Sequence, residues 1–335
     1  MNRNTRCALV LLGLWIAGAA VAGTANPFVG RWALTIPGGA AGWLGVTEEN
    51  SKLAGSILWG GGSVLPVDDI KPDGDKLVIT RFHELRQRDE KGQPLKDIET
   101  ITATVDGDAL KLMTVTKRAN GSETAPANFT GKRIPPLPPR PDLSKVKFGT
   151  PIVLFGGKEE DLKGWKLVES RATSGWSVKD GALVNNAAQQ EGKPRVSYGN
   201  LRTVGEFEDF NLKLEVNVNK GENSGVYLRG IYEVQISDSY GRKLDSHNMG
   251  GIYSRITPTV NAEKPPGQWQ TLDMTLVDRH ATIVLNGKTI IDNQPLLGCT
   301  GGALTSDEFK PGPIYLQGDH TSISYRNIVL TPIVK

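Results

Sequence analysis

Five prolines fall within the ten residues of Ile134–Leu143, IPPLPPRPDL, and nothing else in the chain restricts its folding as strongly. Proline donates no ladder hydrogen bond, so such a run cannot lie inside a sheet and favours an extended polyproline spacer. It predicts two globular parts, 27–133 and 148–335, joined through a Pro-rich linker at 134–147. At 335 residues the chain is long enough for each part to bury its own core. With 38% hydrophobic and 22% charged residues it is globular rather than disordered.

The N-terminus is organised differently. Arg3 and Arg6 precede the apolar stretch ALVLLGLWIAGAAVAG, and Ala20-Val21-Ala22 fits a small-x-small cleavage site. Residues 1–22 therefore read as a secretory signal, and the expected location is periplasmic or extracellular. Removing both arginines brings the formal charge of +3 still closer to zero, which argues against nucleic-acid binding by bulk electrostatics. Of the two cysteines, Cys7 would leave with the signal, and Cys299 alone can form neither an intrachain disulfide nor a Cys-based metal site. No further segment approaches membrane-spanning length.

Both parts read as strands. In the first, Arg31–Ile36, Lys76–Thr80, Ile101–Val105 and Ala109–Leu112 are separated by Gly, Asp and Asn, with a hairpin expected at Asp106-Gly107-Asp108. Gly30-x-Trp32 resembles the opening of lipocalin-like and avidin-like barrels, where the Trp plugs one end. In the second, Leu214–Val218 and Leu272–Val277 alternate, and Asn286-Gly287 between two apolar runs predicts a tight hairpin. Helical periodicity is hard to find. The expected fold class is all-β: a small antiparallel β-barrel-like domain, then a two-sheet sandwich. Gly38-Gly39 and Gly60-Gly61-Gly62 lack a following helix and lysine and read as turns.

The stretch NSGVYLRGIYEVQISDS, 223–239, carries the functional signal. Read as a strand, its even positions Val226, Leu228, Tyr232, Val234 and Ile236 are apolar, while the odd positions include Tyr227, Arg229, Glu233 and Gln235. Ordinary solvated faces collect Lys, Thr and Ser. An aromatic, a guanidinium, a carboxylate and an amide together suit a polyhydroxylated ligand.

Further motifs follow in order. Leu154-Phe155-Gly156-Gly157-Lys158, Leu162-Lys163-Gly164-Trp165 and Trp176–Leu183 precede Phe207-x-Asp209-Phe210. After Asn223–Arg229 and Tyr232–Ser239 come Gly251-Ile252-Tyr253, Pro266-Gly267-Gln268-Trp269 and Val284–Gly287, then Gly312–Gln317, His320 and Tyr325–Ile328. In this order and spacing, residues of about 150–335 resemble the 3-keto-disaccharide hydrolase family. The resemblance implies a concanavalin A-like jelly roll acting on glycosides oxidised at C3, by elimination across C1–C2 and hydration or by net hydrolysis. It also implies a partner oxidoreductase that makes the 3-keto sugar. It says nothing about 27–133.

Such chemistry needs a base at C2, an acid at the leaving oxygen and donors for the enolate. Glu233, Asp238 and His320 are the catalytic candidates. Asn223, Tyr227, Arg229, Gln235, His247, Tyr253, Trp269 and Gln317 are the substrate-binding candidates. Of four histidines, His83 lies in the other part and His280 in an expected turn, while His247 sits in a loop that can act as a lid. Glu233, Gln235, Asp238 and His320 together could hold a divalent cation that polarises the ketone, though their spacing matches no defined metal loop. A non-catalytic lectin-like module and a conventional two-carboxylate glycosidase are the alternative readings.

Overall fold

The protein is described here by a computed structural model, in which residues 26–334 are placed. The expected secretory segment, with Cys7, lies outside the described residues. The fold is all-β. Among the described residues, no helix is long and apolar enough to cross a membrane.

The first part is a single antiparallel sheet that closes on itself. Gly30–Thr35 pairs with Ala41–Glu49 on one side and with Ala127–Ile134 on the other, so first and last strands meet. Between them, Leu65–Pro66 pairs with Lys52–Trp59 and Asp69–Asp73 pairs with Lys76–Arg88. One broken edge thus bridges two strands and completes the barrel. Alternation sends Trp32, Leu34, Leu44, Ile57, Leu77, Ile79 and Ile101 into its core. Trp32 is fully buried and its Nε1–H donates to the Phe28 carbonyl at 2.9 Å. The Arg133 guanidinium lies 4.0 Å from the Trp32 ring centroid and caps that end.

The second part is a sandwich of two antiparallel sheets. One has Phe210–Asn217, Trp269–Val277, His280–Leu285, Lys288–Pro295 and Ile323–Val334 at its heart. The other runs in the order Trp165–Leu167, Leu201–Thr203, Tyr315–Leu316, Asn223–Leu228, Tyr232–Ser237. The Asn286-Gly287 turn forms as expected, with φ of 50° and 79° joining two strands.

The stretch 223–239 is a hairpin, not one strand. Arg229 and Gly230 take φ of 58° and 64°, and Leu228 pairs with Tyr232. Tyr227 therefore stands opposite Glu233, Val226 opposite Val234. Because partners share parity, the even residues still face the sandwich core and Tyr227 and Glu233 still share the outer face.

The two parts are not independent beads. Ala33, Ala41, Trp43, Leu58 and Ile134 of the barrel belong to the same buried cluster as the sandwich core. In the strand containing Ala41–Val46, Leu44 points into the barrel while its neighbour Trp43 points out against the sandwich. The proline run is extended, but it is strapped down rather than free. The carbonyls of Pro135, Pro136 and Pro141 accept hydrogen bonds from Arg31, Arg279 and Asn293 at 3.0, 2.9 and 2.8 Å.

Candidate active site

The outer face of the five-stranded sheet is roofed by the loop after Pro295 and by the barrel, which leaves a cleft of about 520 Å³. Glu233, Tyr227, Asn223, Tyr253, Gln317 and His320 all line it. Four residues that the sequence did not single out join them: Glu169, Asn200, Tyr315 and Asp319.

Glu233 is only 4% exposed. Burial pushes its carboxyl up to about 8, and Asp319 adds to the rise, against the opposing pull of Tyr227 and His320. The Tyr227 hydroxyl is 2.9 Å from Glu233 Oε2 and 2.8 Å from the Gly301 carbonyl oxygen. A phenol has one proton. When Glu233 is neutral it donates to the Tyr227 oxygen, and Tyr227 donates to Gly301. When Glu233 is ionised, the tyrosine proton must serve one acceptor or the other. Tyr227 itself stacks on Tyr315 at 4.3 Å between centroids, and burial keeps both phenols protonated. The backbone makes room for the acid: a β-carbon on Gly225, in the facing strand, would stand 2.5 Å from Glu233 Oε1.

His320 and Asp319 form the opposing pair. The two side chains meet at 2.6 Å through Nδ1 and Oδ1. This hydrogen bond raises the imidazole above its ordinary value, with burial working against it. Burial works to raise Asp319 as well, but the hydrogen bond and charge of His320 outweigh it and hold the carboxyl below its usual range. Nδ1–H is thereby committed to Asp319, and Nε2 is left to take a proton. The turn is fixed from behind. Asn200 Oδ1 accepts from the Gly318 and Asp319 N–H groups at 2.7 and 3.2 Å, and its Nδ2 donates to Glu169 at 2.8 Å. Asn200 and Glu169 are positioning residues.

Asn223 and Gln317 contribute acceptors. The buried Oδ1 of Asn223 and Oε1 of Gln317 have no hydrogen-bond partner among the described residues. An unpaired buried polar atom costs about 1–3 kcal/mol, a cost that bound hydroxyls would relieve.

Other expected site residues lie elsewhere. Arg229 falls in the hairpin turn, where strand parity no longer sets direction; its guanidinium donates to the carbonyls of Glu308 (2.8 Å) and Lys310, away from the cleft. Asp238 lies past the end of Tyr232–Ser237 and accepts from the Gly221 N–H at 2.9 Å. Gln235 is buried but does not line the cleft; its backbone pairs with Gly250 and Gly251, and its Oε1 accepts from the Ile236 N–H at 3.2 Å. Trp269 belongs to the other sheet, where the Arg326 guanidinium lies 4.1 Å from its ring centroid. His247 does not line the cleft; it packs edge-on against Tyr253 at 4.8 Å, which does. Of the four residues that could together hold a cation, Glu233 and His320 line the cleft, while Gln235 and Asp238 do not. Among the described residues, no group of three or more His, Cys, Asp or Glu is arranged to hold a metal ion.

Residues 150–331, more than half of the chain, match the family described as the 3-keto-alpha-glucoside-1,2-lyase-like domain. The chain belongs to this family. A curated relative, the 3-keto-disaccharide hydrolase of Bacteroides thetaiotaomicron, is 26% identical over 145 residues, 35% of this chain and 49% of that protein. The chain thus matches about half the length of that relative. Two solved structures of Parabacteroides distasonis ATCC 8503 proteins, assigned as glycosyl hydrolases, are also similar. One is 30% identical with a TM-score of 0.44, covering 59% of this chain and 93% of its own; another is 23% identical with a TM-score of 0.40, covering 55% and 100%. The 3-keto-alpha-glucoside-1,2-lyase-like region therefore contains every cleft residue named above.

Proposed function

We propose that the protein cleaves 3-keto-glycosides by elimination across C1–C2 followed by hydration. One observation carries this reading: a buried carboxyl that holds its proton near neutral pH shares a cleft with a His–Asp pair whose imidazole can accept one. A pure binding module has no need of such a pair.

The ketone at C3 acidifies the C2 hydrogen. Neutral His320 takes that proton through Nε2, and Asp319 stabilises the imidazolium that forms. The C2–H electrons make the enolate of C3, and collapse of the enolate opens the C1–O bond to give a C1=C2 double bond conjugated with the ketone. Glu233 gives its proton to the departing oxygen, so the aglycone leaves as an alcohol. Water then adds at C1 while a proton returns to C2, and the free 3-keto sugar results. Asn223 and Gln317 orient hydroxyls.

The substrate must be made by an enzyme that oxidises a sugar hydroxyl at C3. On the strength of the 1–22 segment, the reaction is proposed to occur outside the cytoplasm.

The test is turnover of a 3-keto disaccharide beside its unoxidised parent. Only the keto form should react, with a bell-shaped pH profile. The rate rises as His320 loses its proton and falls near pH 8 as Glu233 loses its own. His320→Ala should lower kcat by about 100-fold. Cleavage of the unoxidised parent at a similar rate would instead mean ordinary glycoside hydrolysis.

A further inference from the structure

The cleft is not built by the sandwich alone. Gly61 and Gly62, on the turn that follows the barrel strand Lys52–Trp59, line it beside Gly301 and Gly302 of the sandwich. The family match starts at residue 150, so this part of the wall comes from outside it.

The turn is anchored on both sides. The Gly302 N–H donates to the Gly60 carbonyl at 3.3 Å, and the Val64 N–H donates to Ser254 Oγ at 2.9 Å. Ser63 Oγ is 2.9 Å from His247 Nε2, and His247 in turn packs edge-on against Tyr253, which lines the cleft. Behind the turn, the Arg255 guanidinium sits 4.5 Å from the Trp43 ring centroid. These links hold the turn at a set height over the sheet.

The glycines differ in what they require. Gly60 and Gly62 have φ of 74° and 83°, a region that favours glycine. A β-carbon on Gly301 would overlap the Gly62 carbonyl oxygen. Gly61 has neither constraint: its φ is not in the left-handed region, and a β-carbon there would meet no heavy atom within 4 Å. Gly61 lines the cleft, and a β-carbon added to it would stand in open space.

We propose that the Gly60–Gly62 turn of the barrel walls the subsite for the leaving sugar, so that the barrel sets which glycosides are accepted. This rests on the elimination reading. The reacting ring must lie against Glu233 and His320, because both the C1 oxygen and the C2 proton have to be within hydrogen-bond reach of them. Whatever hangs from C1 is then directed into the remaining space, bounded by the glycine turns. A wall made of peptide planes without side chains takes a second ring lying flat. A cleft of about 520 Å³ suits a short glycoside of disaccharide size.

The experiment compares wild type with Gly61→Trp, and with Gly61→Ala as the milder variant, all checked for an unchanged thermal midpoint. Two substrates are used: a 3-keto disaccharide and the methyl 3-keto-glycoside with the same reacting ring. In Gly61→Trp, kcat/KM for the disaccharide should fall at least ten-fold further than for the methyl glycoside, with Gly61→Ala between. Equal losses on both substrates, or none on either, overturn the proposal. Disaccharide binding is followed separately by NMR titration. If wild type turns over neither substrate, the elimination reading fails on its own; weaker disaccharide binding by Gly61→Trp still upholds the wall, and unchanged binding removes it.

Discussion

The hydroxyl of Tyr227 stands 2.9 Å from Glu233 Oε2 and 2.8 Å from the Gly301 carbonyl, so one proton is placed between two acceptors. This hydrogen bond pulls the Glu233 carboxyl down against the dominant effect of burial. Tyr227→Phe removes the pull. A hydrogen bond to a charged group is worth about 1.5–3 kcal/mol, so the falling limb of the pH profile should move upward by on the order of one pH unit or more. A limb that stays in place would show that another group sets it.

The same burial makes Glu233 costly to the fold. Its carboxyl goes from an ordinary 4.5 to about 8 in the folded protein. The folded state therefore binds the proton more tightly, and the resulting stability is complete below about 4.5 and lost as pH rises through 8. Glu233→Gln keeps the shape and removes the ionisation. It should lower kcat by about 100-fold while raising the unfolding midpoint relative to wild type, most clearly above pH 8. Urea unfolding of both proteins at pH 5 and pH 9 checks the sign. A stability difference that does not grow with pH would contradict a buried, proton-holding acid.

The parts of the site that the sequence disclosed are those governed by period-two alternation. Tyr227 and Glu233 keep one face through the hairpin because cross-strand partners there share parity. Arg229 was misplaced by the same rule, since it belongs to the turn, where side-chain direction follows φ rather than parity. Asn200 and Glu169 were missed because they converge on the cleft from distant segments and form no local pattern, whereas Asp319 stands directly beside His320 in the chain, a local signal that period-two reading passes over. Gly225 did leave a trace: a glycine inside a strand signals that something approaches closely, here the Glu233 carboxyl. Gly60–Gly62 read correctly as a turn, but its position over the cleft depends on contacts with residues 247, 254 and 302. The barrel–sandwich contact was also written locally. In Ala41–Val46, AGWLGV, apolar residues fill both parities, the pattern of a strand buried on both faces.

That contact gives the last prediction. Trp43 is 7% exposed, lies in the sandwich cluster and is covered by Arg255. Gly298 sits so close that a β-carbon on it would overlap the indole. Trp43→Ala leaves the barrel interior untouched, because Trp32, Leu34 and Leu44 face the other way, yet it should cost about 3–5 kcal/mol. In the intact protein that interface couples the two parts, so heating should give one calorimetric transition. Trp43→Ala should split it in two, and it should also weaken turnover, because the Gly60–Gly62 turn loses its support. One unchanged transition with full activity would mean that the turn is held by its hydrogen bonds to residues 247, 254 and 302 alone.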